Sequence, residues 1–300
     1  MNLHLTDIGS FVMSTLLGAT PLILAAMGGV LSEKAGVVNI ALEGFILAGA
    51  FIAVSAAHLF GGHGWVISSL MGILATVFLG LIMGMMHAFL TQRTRMDHVV
   101  SGLGINLLAM GATRYLYLHL YPNGVEVAGL DRRYFLVAAL ILPFLVQFLL
   151  VKTRFGLKLR ACGEDPDSAV LAGVSVIPVR YVAVILSGIL AALAGAYLTL
   201  GDAHNFSTDI SAGKGYIALA AVIFGKWNPF GATGAALFFG FFYALQTRLQ
   251  ISSIVIHFWG IDLTNPFLMD TLPYLMTIIV LASFVGHTKP PAALGRQEVL

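Results

Sequence analysis

Long apolar stretches follow one another along almost the whole chain and are separated by short polar connections. Their apolar residues are continuous rather than alternating, which favours helices over the strands of a membrane barrel. A short stretch at 216–225 is predicted to be a broken or re-entrant helix, which membranes tolerate where protein covers it. We expect an all-α polytopic membrane protein with this short helix and about eight full spans. Each span is able to cross about 30 Å of hydrocarbon. The predicted spans are residues 8–30, 37–57, 64–90, 99–121, 134–151, 176–200, 230–245 and 267–285.

The composition excludes several classes of protein. Only 10% of the 300 residues are charged, 58% are hydrophobic and the mean hydropathy is +0.91. A soluble chain would carry about a quarter of charged residues, so an ordinary soluble enzyme and a disordered protein are both excluded. The net charge of +2 provides no concentrated basic face for nucleic acid. With Cys162 as the one cysteine and no CxxC or Cys/His cluster, no disulfide, structural metal or other cofactor is expected.

The distribution of lysine and arginine predicts the orientation in the membrane, because cytoplasmic loops are enriched in both residues. The N-terminus then lies outside and the C-terminus inside, when the short helix counts as a crossing. The longest polar segment, 152–175, is too short to fold alone, so we expect one transmembrane domain, 1–300. The predicted cytoplasmic side holds eleven of the sixteen basic residues, namely Lys34, Arg93, Arg95, Lys152, Arg154, Lys158, Arg160, Arg180, Lys226, Lys289 and Arg296.

The polar segment 152–175 contains the signals of a short helix at 166–172. Asp165 can cap free N–H groups, and Pro166 suits the first helical position, where its missing N–H has no cost. Gly173 is a natural helix stop. This helix is either a solvated connector or an element that docks on a soluble partner, and it would present an apolar face made of Val170 and Leu171.

Three blocks of sequence resemble a known family. The run RACGEDP at 160–166, followed by AGV at 172–174, resembles the coupling loop of ABC-transporter permeases of the branched-chain amino acid, ribose and nucleoside group. The run AGVVNIALEG at 35–44 is similar to the nucleoside and simple-sugar branch in particular, and the third block is GKGYIALAAVIFGKWNP at 213–229. The blocks occur in the same order as in that family.

The resemblance implies a permease subunit of an ATP-driven importer in the cytoplasmic membrane of a prokaryote. It also implies three partners: a cytoplasmic ABC ATPase, a second homologous permease that completes a heterodimer, and an extracytoplasmic solute-binding lipoprotein. The chain contains no GxxxxGK[ST] motif, so ATP would be hydrolysed on the separate subunit. The residues expected to couple the permease to that ATPase are Gly163, Glu164, Asp165, Pro166, Ala172 and Gly173.

Five polar or aromatic residues are candidates for the solute pathway. Asn39 and Glu43 are four residues apart and share one helix face. Inserting a carboxylate into hydrocarbon costs about 2.5–3.5 kcal/mol, so the group usually faces protein or water. Asn39 and Glu43 therefore either line the pathway or bond to another span, and the same two alternatives apply to Asn106. Trp227 and Asn228 end the short segment, where broken helices often bind solutes. Trp227 either stacks on a base or marks the membrane interface.

The scarcity of charge within the spans predicts a neutral solute. The resemblance favours nucleosides, and the alternative is a simple sugar such as ribose or galactose. A second alternative is an ion-coupled secondary transporter, in which Glu43 and Asp270 would carry protons, although no clear inverted hydropathy repeat supports it. An intramembrane enzyme is not expected, because the chain has neither HExxH nor GxSxG.

Overall fold

The computed structural model describes residues 5–251, 257–258, 261–262, 271, 275, 278–279 and 289–296. Strands β1 (His257–Phe258) and β2 (Ile261–Asp262) form a small antiparallel pair. The remaining elements in this part of the chain are helices, namely α1 (Leu5–Lys34), α2 (Leu42–Leu59), α3 (Trp65–Gln92), α4 (His98–Leu120), α5 (Arg132–Lys152), α6 (Arg154–Glu164), α7 (Pro166–Leu171), α8 (Val176–Ala196), α9 (Lys214–Phe224) and α10 (Pro229–Ile251), with a 3₁₀ turn at Gly61–His63 and a π-helical continuation of α8 at Tyr197–Ala203.

Within the described residues, six helices are long and apolar enough to cross a membrane, and they confirm a helical multi-pass membrane protein. They are Ile8–Lys34, Leu42–Leu59, Trp65–Gln92, His98–Leu120, Arg132–Lys152 and Val176–Ala203.

The count of eight spans is not confirmed. The predicted span 230–245 lies in α10, a helix of 23 residues that is not among these six. Most of the predicted span 267–285, including Asp270, lies outside the described residues.

The short apolar segment forms a helix that covers only half of the bundle. Helix α9 has 11 residues, which corresponds to about 16 Å of length, half of what a crossing needs. It begins beside Glu43 at the start of α2, and the turn after it reaches Glu33 near the end of α1. The segment that precedes α9 therefore descends from the opposite end of the bundle without helical structure.

Helix α8 is central, since it packs against α1, α2 and α3. Small residues bring it close to α3: a Cβ on Gly80 would stand 2.8 Å from the Gly188 carbonyl oxygen, and a Cβ on Gly84 2.8 Å from the Ile185 Cα. Close backbone approach through small residues is typical of helix association in membranes. Helices α3, α4 and α5 leave many apolar side chains exposed on their outer faces, as a surface toward lipid or another membrane subunit requires.

The two ends of the bundle differ. At one end, called the basic end below, the side chain of Arg180 contacts the α1–α2 connection, the end of α3, α6 and the C-terminal segment. The far end holds the Arg132–Asp202 ion pair, whose Nη1–Oδ1 distance is 3.7 Å. Four regions that carry or adjoin the basic residues predicted to share one membrane face therefore meet at one end of the structure.

The polar segment 152–175 contains two helices instead of the one predicted. Helix α7 confirms the prediction: the Asp165 carboxylate accepts the Ser168 N–H at 3.0 Å, and Gly173 ends the turn at φ +80°. Helix α6 was not predicted, because its two glycines and its charged residues give it a low apolar content. Its start was nevertheless readable from Thr153, whose hydroxyl oxygen accepts the Gly156 N–H.

Candidate functional site

The connection between α1 and α2, residues 35–41, is a largely buried non-helical segment that we call the linker. Buried backbone groups need hydrogen-bond partners, and two histidines supply them at Val38. His98 Nδ1 accepts the Val38 N–H at 3.3 Å, and His87 Nε2 donates to the Val38 carbonyl oxygen at 3.2 Å. His87 Nδ1 is then the acceptor for the Ser101 hydroxyl at 2.9 Å. The linker is thus fixed to α3 and α4.

Asn39 lies in the non-helical linker and is fully buried, so the prediction that it shares a helix face with Glu43 is wrong. Its Nδ2 donates to the Ser187 hydroxyl oxygen of α8 at 2.8 Å. Its Oδ1 has no hydrogen-bond partner among the described residues. The amide therefore joins the linker to the central helix and keeps one acceptor available.

Asn106 joins α4 to three other segments through one side-chain amide. Its Oδ1 accepts the Gly44 N–H at 2.7 Å, which supplies a partner for a free amide in the first turn of α2. Its Nδ2 donates to the Ile40 carbonyl oxygen at 2.9 Å and to the Tyr216 hydroxyl oxygen at 3.1 Å. Asn106 therefore holds the linker, α2 and α9 together.

Glu43 binds the first amides of α9. Its Oε1 accepts the Gly213 N–H at 3.0 Å, and its Oε2 accepts the Gly215 N–H at 2.6 Å. A carboxylate at a helix N-terminus is favourable because it faces the positive end of the helix dipole. The approach is close: a Cβ on Gly215 would overlap the Glu43 backbone. The negative charge of Glu43 is thus used in fixing the short helix.

Trp227 and Asn228 lie in the turn between α9 and α10. The Trp227 indole is buried, and its Nε1 donates to Glu33 Oε2 at 2.5 Å. Asn228 is exposed, and its Oδ1 accepts the N–H groups of Phe230 and Gly231 at 2.9 and 3.2 Å. Trp227 therefore fixes the end of α9 to the end of α1, and Asn228 caps α10.

Two adjoining cavities of about 740 and 390 Å³ lie between α1, α9 and α10 and share Gly18, Lys214, Tyr243 and Thr247 in their walls. We call the two together the outer chamber. Their walls use the first half of α1 and the second half of α10, so the chamber lies toward the far end, above α9. Lys214, the first residue of α9, belongs to its floor, and its Nζ stands 5.5 Å from the centre of the Tyr243 ring.

The outer chamber has both aromatic and polar walls. The π-helical turn at Tyr197–Ala203 contributes to the larger cavity, and such turns are frequent at functional sites. The volume is within the range of small-molecule sites, which are mostly apolar with a few oriented polar groups. The chamber can therefore hold a solute with a flat ring and several hydrogen-bonding groups.

Helices α6 and α7 expose apolar side chains at the basic end. Leu171 is 90% exposed and Leu157 is 62% exposed. A groove of about 450 Å³ lies between the two helices. Hydrogen bonds from Ser168 hold the pKa of Asp165 below its usual range, so the α7 cap is charged at neutral pH.

The structure brings Asn39, Glu43 and Asn106 together around the linker and α9, and it places Asp165 and the other predicted coupling residues at the basic end. Sequence reasoning missed three groups that hold this arrangement: the two histidines at Val38, Glu33 as the partner of Trp227, and Arg180. The charge distribution places Arg180 on the predicted cytoplasmic side without indicating any partner. Its position five residues inside a span, counted from Val176, was the signal that it is buried.

Comparison with known proteins identifies the family of the chain. The model of the family described as "Branched-chain amino acid transport system / permease component" matches residues 11–281. The chain belongs to this permease family. One relative of the permease is the guanosine ABC transporter permease protein NupQ of Bacillus subtilis strain 168, which is 37% identical over 95% of this chain and 94% of its own. Another is the nucleoside ABC transporter permease protein NupC of Lactococcus lactis subsp. cremoris strain MG1363, which is 36% identical over 95% of both chains.

A third relative comes from the same strain as the first. The guanosine ABC transporter permease protein NupP of Bacillus subtilis strain 168 is 26% identical over 77% of this permease and 72% of its own chain. The permease therefore matches two guanosine permease proteins of one organism, one of them much more closely than the other.

Proposed function

We propose that this permease imports nucleosides as one subunit of an ATP-driven ABC importer in the cytoplasmic membrane of a prokaryote. The similarity to NupQ and NupC supports the solute, because it extends over nearly the whole of each chain. The basic end faces the cytoplasm in this proposal. Helix α10 and residues 267–285 serve as the seventh and eighth full spans beside the crossing that contains α9, and the chain forms one permease domain over 1–300.

Three partners complete the proposed importer. A second, non-identical permease is supported by the unequal similarity to the two guanosine permease proteins of Bacillus subtilis. An ABC ATPase would bind at α6 and α7, whose exposed apolar side chains need a partner surface. An extracytoplasmic solute-binding lipoprotein would deliver the nucleoside to the outer chamber.

The observation that carries the neutral character of the solute is the position of Glu43. Helix N-termini at the midplane of transporters commonly face anionic parts of a solute. In this permease the Glu43 carboxylate accepts the Gly213 and Gly215 N–H groups instead. In the described part of the chain these two amides at the start of α9 are consequently not open to an anion, and this supports an uncharged nucleoside as the solute.

We assign Asn39, Glu43 and Asn106 to the pathway as the residues that fix its floor. Asn39 retains a free acceptor in the linker, and the other two join α9 to α2 and α4. Trp227 fixes the end of the same helix at the basic end, and Asn228 caps the following helix α10. Stacking and hydrogen bonding to the nucleoside are assigned to the walls of the outer chamber.

Transport by the complete complex tests the function. The permease, its ATPase and its second permease are reconstituted in liposomes with the binding protein outside, and uptake of radiolabelled guanosine is measured with and without ATP. We expect uptake that requires ATP and is inhibited by unlabelled uridine more strongly than by ribose or galactose. Uptake without ATP, or uptake driven by an imposed proton gradient, would contradict the proposal.

The docking of the ATPase has its own test. Leu171→Asp places a charge on the exposed tip of α7, and Leu59→Asp does the same on a leucine that is 77% exposed at the end of α2. We expect the first variant to lose co-purification of the ATPase and the second to retain it. Equal binding by both variants would exclude α7 as the docking element.

A further inference from the structure

Arg180 is fully buried in α8 and bonds to four separate segments of the chain. It donates to the carbonyl oxygens of Ala35, Cys162 and Arg296 at 3.0, 3.3 and 3.4 Å, and to Gln92 Oε1 at 3.3 Å. These four acceptors are uncharged oxygens that belong to the linker, α6, the C-terminal segment and the end of α3. A guanidinium has five donors in a rigid plane, so it fixes the relative positions of such groups.

The C-terminal segment 291–296, which we call the strap, connects the same parts by backbone bonds. Ala293 is fully buried, and its N–H donates to the Gly163 carbonyl oxygen of α6 at 2.9 Å. The Gly295 N–H donates to the Gly36 carbonyl oxygen of the linker, also at 2.9 Å. The strap therefore bridges the coupling helices and the linker within three residues.

The end of α6 also contacts α1 directly. A Cβ on Gly163 would overlap the Lys34 carbonyl oxygen, and a Cβ on Gly36 would stand 2.9 Å from Arg180 Nη2. These glycines allow α6, the linker and the guanidinium to pack without a gap. Closely packed groups transmit displacement rather than absorbing it.

We propose that Arg180 and the strap are the positioning link that transmits movement of α6 and α7 to the linker and hence to the floor of the outer chamber. The linker lies between the two sites: its start contacts Arg180 and the strap, and Glu43, just beyond its end, holds α9. Movement driven by the ATPase at α7 reaches the chamber through this connected set of bonds. This inference rests on the proposed function.

Arg180→Lys and Arg180→Met in the reconstituted complex test the link. Lysine retains the charge and part of the donor set, whereas methionine retains only the unbranched apolar stem. We expect Arg180→Met to retain basal ATP hydrolysis within about twofold, to lose its stimulation by guanosine-loaded binding protein, and to transport at least tenfold less guanosine per ATP. Arg180→Lys should be intermediate. The matched control is Arg114→Met, which removes an exposed arginine from α4 and should leave the ratio unchanged.

The strap supplies an independent variant. Ala293→Pro removes the N–H that binds Gly163 without changing charge, and we expect it to lower guanosine transport per ATP as Arg180→Met does. If Arg180→Met fails to assemble, Ala293→Pro and Arg180→Lys carry the test. A wild-type complex without ATP-dependent guanosine uptake would refute the proposed function. The link alone would be refuted if the wild-type complex transports guanosine and the variants keep its ratio of guanosine transported to ATP hydrolysed. This includes the case in which transport and ATP hydrolysis fall in parallel.

Discussion

Removal of the Glu43 carboxylate should release the short helix from α2. In Glu43→Ala the N–H groups of Gly213 and Gly215 lose their acceptor in a part of the protein that packs tightly against α2. In Glu43→Gln one acceptor oxygen remains, but the charge is lost and the amide NH₂ group faces the second N–H. The two substitutions therefore separate the effect of the charge from the effect of hydrogen bonding.

The size of the effect follows from the two bonds to Glu43. A hydrogen bond to a charged group contributes about 1.5–3 kcal/mol, so Glu43→Ala should destabilise the arrangement by about 3–6 kcal/mol at most, the sum of two such bonds. Glu43→Gln should destabilise it by about 2.5–4.5 kcal/mol, because one neutral bond of about 0.5–1.5 kcal/mol replaces the two charged ones. The packing at Gly215 remains in both variants, so α9 is loosened rather than lost.

Two measurements on the purified complex check this reasoning. Thermal unfolding should rank wild type above Glu43→Gln and Glu43→Ala, while Glu126→Gln, which changes an exposed residue, should match wild type. In transport, wild type should be insensitive to excess guanosine 5′-monophosphate. Glu43→Ala should be inhibited by it, because free helix amides attract a phosphate. Equal unfolding temperatures for Glu43→Ala and Glu126→Gln, together with equal insensitivity to the nucleotide, would refute the role of Glu43.

Three further predictions concern the same framework. Gly215→Ala should destabilise the permease by about 1–3 kcal/mol, the usual effect of overpacking, whereas Gly104→Ala, with open space around its Cβ, should be neutral in the same unfolding assay. Trp227→Phe leaves Glu33 without the indole donor and should lower stability by about 1–3 kcal/mol, measured by denaturant titration of the complex. The pKa of Asp165 is lowered, so its cap stabilises α7 fully above the usual carboxyl pKa and loses this effect as the pH falls through the lowered pKa. A spin label on α7 should become mobile only at that acidic pH. In Asp165→Asn the mobility of the label should not depend on pH.

Much of the fold was predictable because membranes impose simple requirements. Six of the predicted spans overlap apolar helices of the structure, although the predicted start at 37 falls in the linker and the helix begins at Leu42. A segment that crosses hydrocarbon has to be long and apolar. The start of α7 at Pro166 was predictable because capping depends on adjacent residues alone. Such local signals do not need knowledge of any tertiary contact.

The site was less predictable, because its polar residues act through partners far away in the chain. Asn106 and Gly44 are 62 residues apart, and Glu43 and Gly215 are 172 apart. The residue types suggested that Glu43 and Asn106 either line the pathway or bond to neighbouring spans. The contacts that they make with α2 and α9 required the tertiary structure. Trp227 is similar, since its partner Glu33 is 194 residues away in the chain.

The three blocks of sequence that resemble the family become one connected structure. Block 35–44 contains the linker and Glu43; block 213–229 contains α9 and Trp227; block 160–166 contains Gly163 at the end of α6. Glu43 joins the first two blocks, and Arg180 with the strap joins the first to the third. Packed elements of this kind have discrete arrangements rather than continuous ones. A displacement at α6 that leaves these bonds intact must therefore move the linker and the chamber floor together, and this physical requirement gives three sequence-distant motifs one mechanical role.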